Sequence, residues 1–268
     1  MISPLYGQLS PIRVPTKAVR KLSDDADANA YLLAVEAADG QELESGVITA
    51  IETFVTGCKS DGIWSAIKAS CILAGARTLS GALVPLAGTA PTNSNFVSAD
   101  YNRETGLKGG STKRISTNRN NNDDPQDNSH RAVFRTETTL PASYAVVLGR
   151  NQVGGNTQIG VFSSGTIRFD LNTSAAPVTI SNAIATGLSG VKRSTSASFD
   201  YYHNKVNATR VGASVTPLAS PLRVFCDDRN SSFSLDRISF YSIGESLDLA
   251  LLDTRVSTLM TDLAAAIP

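Results

Sequence analysis

Only two histidines, His130 and His203, are available to this chain as general base, proton shuttle or imidazole metal ligand. His130 ends a polar stretch, and His203 precedes Asn204 at the end of a predicted hairpin. Neither position suits a rigidly oriented base, so a Ser-His-Asp arrangement is not expected. Asp123, Asp124 and Asp127 stand together in TNRNNNDDPQDNSH, residues 117–130, where clustered carboxylate oxygens would suit calcium. Their spacing matches no EF-hand loop, so a solvated loop is the expectation. Glycoside hydrolysis asks for paired carboxylates across a cleft, yet Glu104 and Glu137 are the only glutamates between 93 and 243. Asp200, Asp227 and Asp228 do not sit at strand-alternate spacing. VGGNTQIG lacks the Lys-Ser/Thr of a phosphate loop and the dinucleotide glycine spacing, and neither G-x-S-x-G nor H-E-x-x-H occurs. Cys58, Cys71 and Cys226 are odd in number and widely spaced, which predicts reduced, packed thiols rather than disulfides or a zinc site. No catalytic, cofactor-binding or metal-binding residues are therefore assigned, and no cofactor is expected. Sugar binding without catalysis would need aromatic platforms, for which Tyr201, Tyr202 and Tyr241 are the candidates.

The elements that must position these residues fall into two textures. Residues 1–23 hold Pro4, Pro11 and Pro15 among apolar side chains without period. That pattern suits a frayed terminus or an extended arm, and the apolar content points to the arm, with Leu5, Tyr6, Leu9, Ile12 and Val14 as docking residues. Residues 24–92 read as a helical segment and linker. Asp24 or Asp25 caps a first helix bearing Ala28, Leu32 and Val35, stopped at Asp39-Gly40. Leu43, Val47, Ile51, Phe54 and Cys58 form the apolar stripe of a second. Ile63, Ile67, Cys71 and Ala74 suggest a third, with Trp64 packing between the helices.

From residue 93 the texture is that of strands. Thirteen of the seventeen aromatics lie between Phe96 and Tyr241, and that density of ring side chains suits sheet packing. Ile167, Phe169 and Leu171 alternate with Arg168, Asp170 and Asn172. Similar alternation runs through Phe199–His203 and Leu222–Cys226, and a bulge near Asp236-Arg237 reconciles Phe233 and Leu235 with Ile238 and Phe240. Gly, Asn and Ser clusters punctuate these runs, so residues 93–244 are predicted to form a sandwich or barrel of antiparallel strands. From Glu245 to the end, Leu249, Leu252, Val256, Leu259 and Leu263 recur at heptad spacing on a helix capped by Ser246, with Asp248 at its positive end. The seam suits either packing on the body or a short oligomeric bundle.

The 24 basic and 24 acidic side chains cancel. The central block carries 16 basic and 11 acidic groups, but they are spread out, so a nucleic-acid footprint is not expected. No apolar run approaches the ~20 residues of a membrane-spanning helix, and the N-terminus shows no secretory signal pattern.

Residues 93–245, ending PLRVFCDDRNSSFSLDRISFYSIGESLDLALLD and preceded by the hairpin SFDYYHNKVNATRV, resemble laminin-G-like, concanavalin-A-like β-sandwiches. The implied fold is mainly β: a jelly-roll sandwich preceded by an extended arm and a small helical segment, with a C-terminal helix. Residues 61–117, the loop 118–130 and the tail YSIGESLDLALLDTRVSTLM resemble structural modules of tailed bacteriophages. That resemblance implies a non-enzymatic virion protein, a tail, neck or fibre component, with capsid decoration as the alternative. It implies other virion proteins as partners, a homo-oligomer (a trimer by the resemblance alone) and a host surface glycan as a further contact.

Overall fold

The computed structural model describes residues 20–151 and 155–268. The arm residues Leu5, Tyr6, Leu9, Ile12 and Val14 lie outside the described residues. Helix α1 (Ala26–Asp39) starts where the Asp25 carboxylate accepts the Asp27 and Ala28 amides, and stops at Gly40, whose φ of 69° is left-handed. Helix α2 (Ser45–Ser60) buries Val47, Ile51, Phe54 and Cys58 along the expected stripe. The third predicted helix is not one. A single 3₁₀ turn, Trp64–Ala66, leads into strand β1 (Ile67–Ile72). β1 is covered on both sides: Ile67 and Ile72 pack toward the helices, Ala69 and Cys71 between the sheets. A strand buried on both faces loses polar alternation, and its apolar run then reads as easily as a helix.

After the four-residue helix α3 (Leu79–Ala82) come β2 (Thr92–Ser94), β3 (Tyr101–Asn102), β4 (Gly106–Lys108), β5 (Arg114–Asn120) and β6 (Ser129–Glu137). They are followed by β7 (Tyr144–Arg150), β8 (Asn156–Phe162), β9 (Thr166–Thr173), β10 (Val178–Ser181) and β11 (Gly187–Arg193). Strands β12 (Ser198–His203), β13 (Val206–Val211), β14 (Pro221–Val224) and β15 (Arg237–Gly244) precede helix α4 (Leu249–Ala266). Two antiparallel sheets result. One runs β13-β12-β11-β6-β15-β4-β3 with β1 also on β15; the other runs β10-β9-β8-β7-β14-β5-β2. The mainly β sandwich is thus present, and it draws its first strand from upstream of residue 93. The predicted irregularity is present between Arg237 and Ile238, and a second slip follows between Ile238 and Phe240. It turns Ile238 into the inter-sheet core and Phe240 toward the helices.

The molecule has three layers and two cores. Val133, Ile159, Phe169, Val191, Leu222 and Tyr241 fill the space between the sheets. On the outer face of the eight-stranded sheet, Ala132, Leu188 and Phe240 meet the helices, with Phe240 edge-on to Phe54 at 5.7 Å. Leu249, Leu252, Val256, Leu259 and Leu263 all belong to this second core and are at most 1% exposed. The heptad seam is therefore spent inside the chain, against α2 and the sheet, and does not face outward as an oligomer axis. α4 is capped by Asp248, whose carboxylate accepts the Ala250 and Leu251 amides, rather than by Ser246. Arg255 locks it to the end of α2 through two bonds to Asp61, 2.6 and 2.8 Å.

Gly244 closes β15 against β1, where an added Cβ would lie 2.0 Å from the Ala66 carbonyl oxygen. The clash is with backbone, which cannot step aside cheaply. Gly244→Ala is expected to lower unfolding free energy by about 1–3 kcal/mol in urea denaturation. An unchanged midpoint would show that β1 is not held in this register.

Candidate functional site

The residues singled out in the sequence are mostly structural. His130 is in β6 rather than in a loop, and it is fully buried. Its Nδ1–H donates to the Glu245 carbonyl (2.5 Å), which leaves Nε2 to accept from Ser242 Oγ (2.7 Å). Burial drives its pKa down to about 4. His203 is held between Ser189 Oγ and the Asn182 carbonyl, each 2.9 Å away, and burial lowers its pKa too. Asp123 caps its own turn by accepting the Asn120 amide. Asp124 is bound by Arg119 and by the buried Arg131 at 3.0 Å. Burial raises its pKa, but the two guanidinium groups outweigh that and hold the carboxyl below its ordinary value. The Asp124 oxygens are committed to arginines, so they are not open to calcium. Cys58, Cys71 and Cys226 are free and buried, with thiol pKa values raised to about 12 by burial. Tyr202 and Tyr241 are buried, and Tyr201 stacks on Phe169 at 5.5 Å, so none of the three is an open platform.

A different cluster stands out on the seven-stranded sheet. No described helix covers that sheet's outer face, in contrast to its partner sheet. In β8, Ile159 and Val161 point into the inter-sheet core, so Gln158, Gly160 and Phe162 share the outer face. In β9, Ile167, Phe169 and Leu171 point inward and Arg168 and Asp170 outward. The antiparallel register sets Asp170 opposite Gln158 and Arg168 opposite Gly160. On the other side it sets Tyr144 opposite Phe162, and Gly149 opposite both Gln158 and Arg223.

Tyr144 crosses above Gly160. An added Cβ on that glycine would lie 2.1 Å from the phenol oxygen, so only glycine leaves room for the ring. The Tyr144 and Phe162 ring centres are 4.6 Å apart at 42°. The Tyr144 hydroxyl donates to Gln158 Oε1 at 2.6 Å, and Gln158 Nε2 donates to Asp170 Oδ2 at 3.0 Å. Arg168 Nε donates to the same Oδ2 at 2.6 Å, and Asn151 Oδ1 lies 3.4 Å from Gln158 Nε2. Asp170 Oδ1 is buried and has no hydrogen-bond partner among the described residues. Burial raises the Asp170 pKa, with Arg168 and Gln158 only partly opposing it. Beyond Gly149, Arg223 Nη1 holds the following loop through the Asp228 carbonyl (2.6 Å) and Asn230 Oδ1 (2.7 Å).

Comparison with solved structures bears on the architecture. The sialidase of Trypanosoma rangeli in complex with sialic acid superposes over 73% of this chain and 33% of its own, at TM-score 0.51 and 11% identity. The botulinum neurotoxin serotype D binding domain superposes over 75% of this chain and 52% of its own, at TM-score 0.47 and 11% identity. The chain therefore spans about half or less of the length of these structures. At such identity the sialidase likeness shows the fold alone, a jelly-roll-type β-sandwich. No family model and no curated protein matches the sequence.

The polar half of the cluster was partly legible, because Arg168 and Asp170 fall on the polar parity of a clean alternation. Tyr144 and Gln158 were missed. The available signal was a glycine at an outward strand position, Gly160, which invites an aromatic from the neighbouring strand.

Proposed function

We propose that this chain is a non-enzymatic structural protein of a bacteriophage virion, a tail, neck or fibre component that attaches through its N-terminal arm and displays the β-sandwich. The observation that carries this reading is the sidedness of the molecule. Helices from both the N-terminal third and the C-terminal tail seal one sheet, while the other keeps a polar outer face. Such a body presents one sheet outward from a firm base. The likeness of residues 61–117 and 241–260 to tailed-phage modules supports the virion setting. The commitment of both histidines and all three cysteines to buried packing supports a non-enzymatic role.

Other virion proteins are the partners in this reading, with capsid decoration as the alternative placement. Because the α4 leucines are spent internally, self-association runs through the arm or the sheet edges instead. In density-banded particles from a culture carrying this gene, peptides of the chain should co-migrate with DNA-filled virions, and antibody should label their tails. Recovery only in the soluble fraction would overturn the proposal. Uniform labelling of the shell would favour decoration. A second reading, contact with a surface glycan, is favoured by the Tyr144–Gln158–Asp170 cluster on the face that no described helix covers.

A further inference from the structure

We infer that the outer face around Tyr144 is a binding site for a neutral pyranose unit of a glycan; the inference rests on the glycan-contact reading and assigns it a place. Three independent features converge there. The first is the floor. A pyranose ring presents a flat face of C–H groups, which packs on an aromatic ring. Tyr144 laid across Gly160, with Phe162 beside it at 42°, forms a bent apolar floor on a sheet face that no described helix covers. Both rings are half-buried and reach the surface.

The second feature is the rim. Within one strand spacing of that floor stand a carboxylate (Asp170), two amides (Gln158 and Asn151) and a guanidinium (Arg168). Adjacent hydroxyls of a sugar are at once donors and acceptors. A carboxylate accepts from them, an amide does both, and a guanidinium donates. The third is the orphan oxygen. Asp170 is fully buried, and Oδ2 takes bonds from Gln158 and Arg168 while Oδ1 takes none. An unmatched buried acceptor is costly and needs an explanation. A ligand hydroxyl donating to Oδ1 supplies one.

Charge selects the class of sugar. Asp170 and Arg168 neutralise each other at 2.6 Å, so this pair offers no surplus cation to a uronic or sialic carboxylate. Its free acceptor is anionic and would repel one. The fit is to an uncharged hexose with neighbouring equatorial hydroxyls.

The test uses the full-length chain on an array of neutral and acidic oligosaccharides, followed by titration of the strongest array sugar in solution. The wild type should retain neutral sugars. Asp170→Asn and Tyr144→Ala should each weaken binding at least tenfold, and Tyr144→Phe should weaken it less, because the floor survives. Melting temperature checks each fold, and if Tyr144→Ala does not fold, Asp170→Asn and Tyr144→Phe decide the matter. Wild-type affinity in folded Asp170→Asn and Tyr144→Phe variants would overturn the site while leaving the glycan reading intact. Retention of acidic sugars alone would overturn the assigned class. No binding to any sugar would overturn the glycan reading and the site with it.

Discussion

Replacing Arg193 with methionine should cost about 3–5 kcal/mol of folding stability, because each buried acceptor left unmatched costs about 1–3 kcal/mol and several lose their donor at once. Arg193 is fully buried at the end of β11, where its guanidinium reaches into the gap between the sheets. It donates to five carbonyls. Nε and Nη2 reach Leu171 at 3.2 and 2.9 Å, and Nη1 and Nη2 reach Gly212 at 3.2 and 3.1 Å. Nη1 also reaches Thr195, Ser196 and Ser198 at 3.1–3.4 Å. Leu171 belongs to the seven-stranded sheet, while the other four lie in or beside β11, β12 and β13 of its partner. One side chain thus ties the two sheets and the turn between β11 and β12. The ring of Phe199 lies 5.5 Å from its guanidinium carbon and shields it from water. Methionine keeps much of the volume and supplies no donor, leaving buried carbonyls unmatched. Lysine, with three donors on one atom, cannot serve acceptors spread around a planar fork, so Arg193→Lys should recover less than half of the loss. Urea denaturation of the three proteins measures this. A methionine variant within about 0.5 kcal/mol of wild type would mean that the carbonyls are satisfied by other groups.

Stability should also fall by roughly 3 kcal/mol between about pH 6.5 and pH 4 through His130 alone. Its imidazole is neutral in the fold, and burial lowers its pKa from 6.5 to about 4. Below 6.5 the unfolded chain takes up a proton that the folded chain refuses. The unfolded state then binds more protons, and stability drops as pH falls. The contribution is complete above 6.5 and gone near 4. His203, shifted in the same direction by burial, adds to the slope. His130→Asn keeps an amide N–H for the Glu245 carbonyl and cannot titrate, so its stability should be nearly flat over that window apart from the His203 share. Equal slopes for wild type and variant would show that His130 is not the group responsible. If the virion reading holds, acid would weaken the sandwich at the junction of β6, β15 and the approach to α4, where Glu245 lies.

What could be read from the chain was whatever neighbouring residues settle among themselves. Asp25 and Gly40 mark the ends of α1 because capping involves only the next few amides and carbonyls. The stripe Val47–Cys58 and the alternation Ile167–Leu171 report one face buried and one face polar, a local property. The leucine spacing of α4 correctly announced a buried helical face, but periodicity carries no label for what buries it. Only the folded chain shows that α2 and the eight-stranded sheet do so, leaving none of the seam for a second copy. β1 was misread because a strand sandwiched between helices and a second sheet has no polar parity to betray it. His130 was misplaced because a run of fourteen residues, all polar but Pro125, looks like solvent-exposed loop. Its imidazole is satisfied instead by groups more than a hundred positions away, Ser242 and Glu245. The same holds for the Tyr144–Gln158–Asp170 cluster. Its residue types were visible, but their meeting on one sheet face depends on two strand registers and on a glycine opposite Arg168. Contacts between residues close in sequence are set by the chain's own geometry. Contacts across the sandwich exist only after its strands have paired, and that pairing is decided by the packing of the whole molecule.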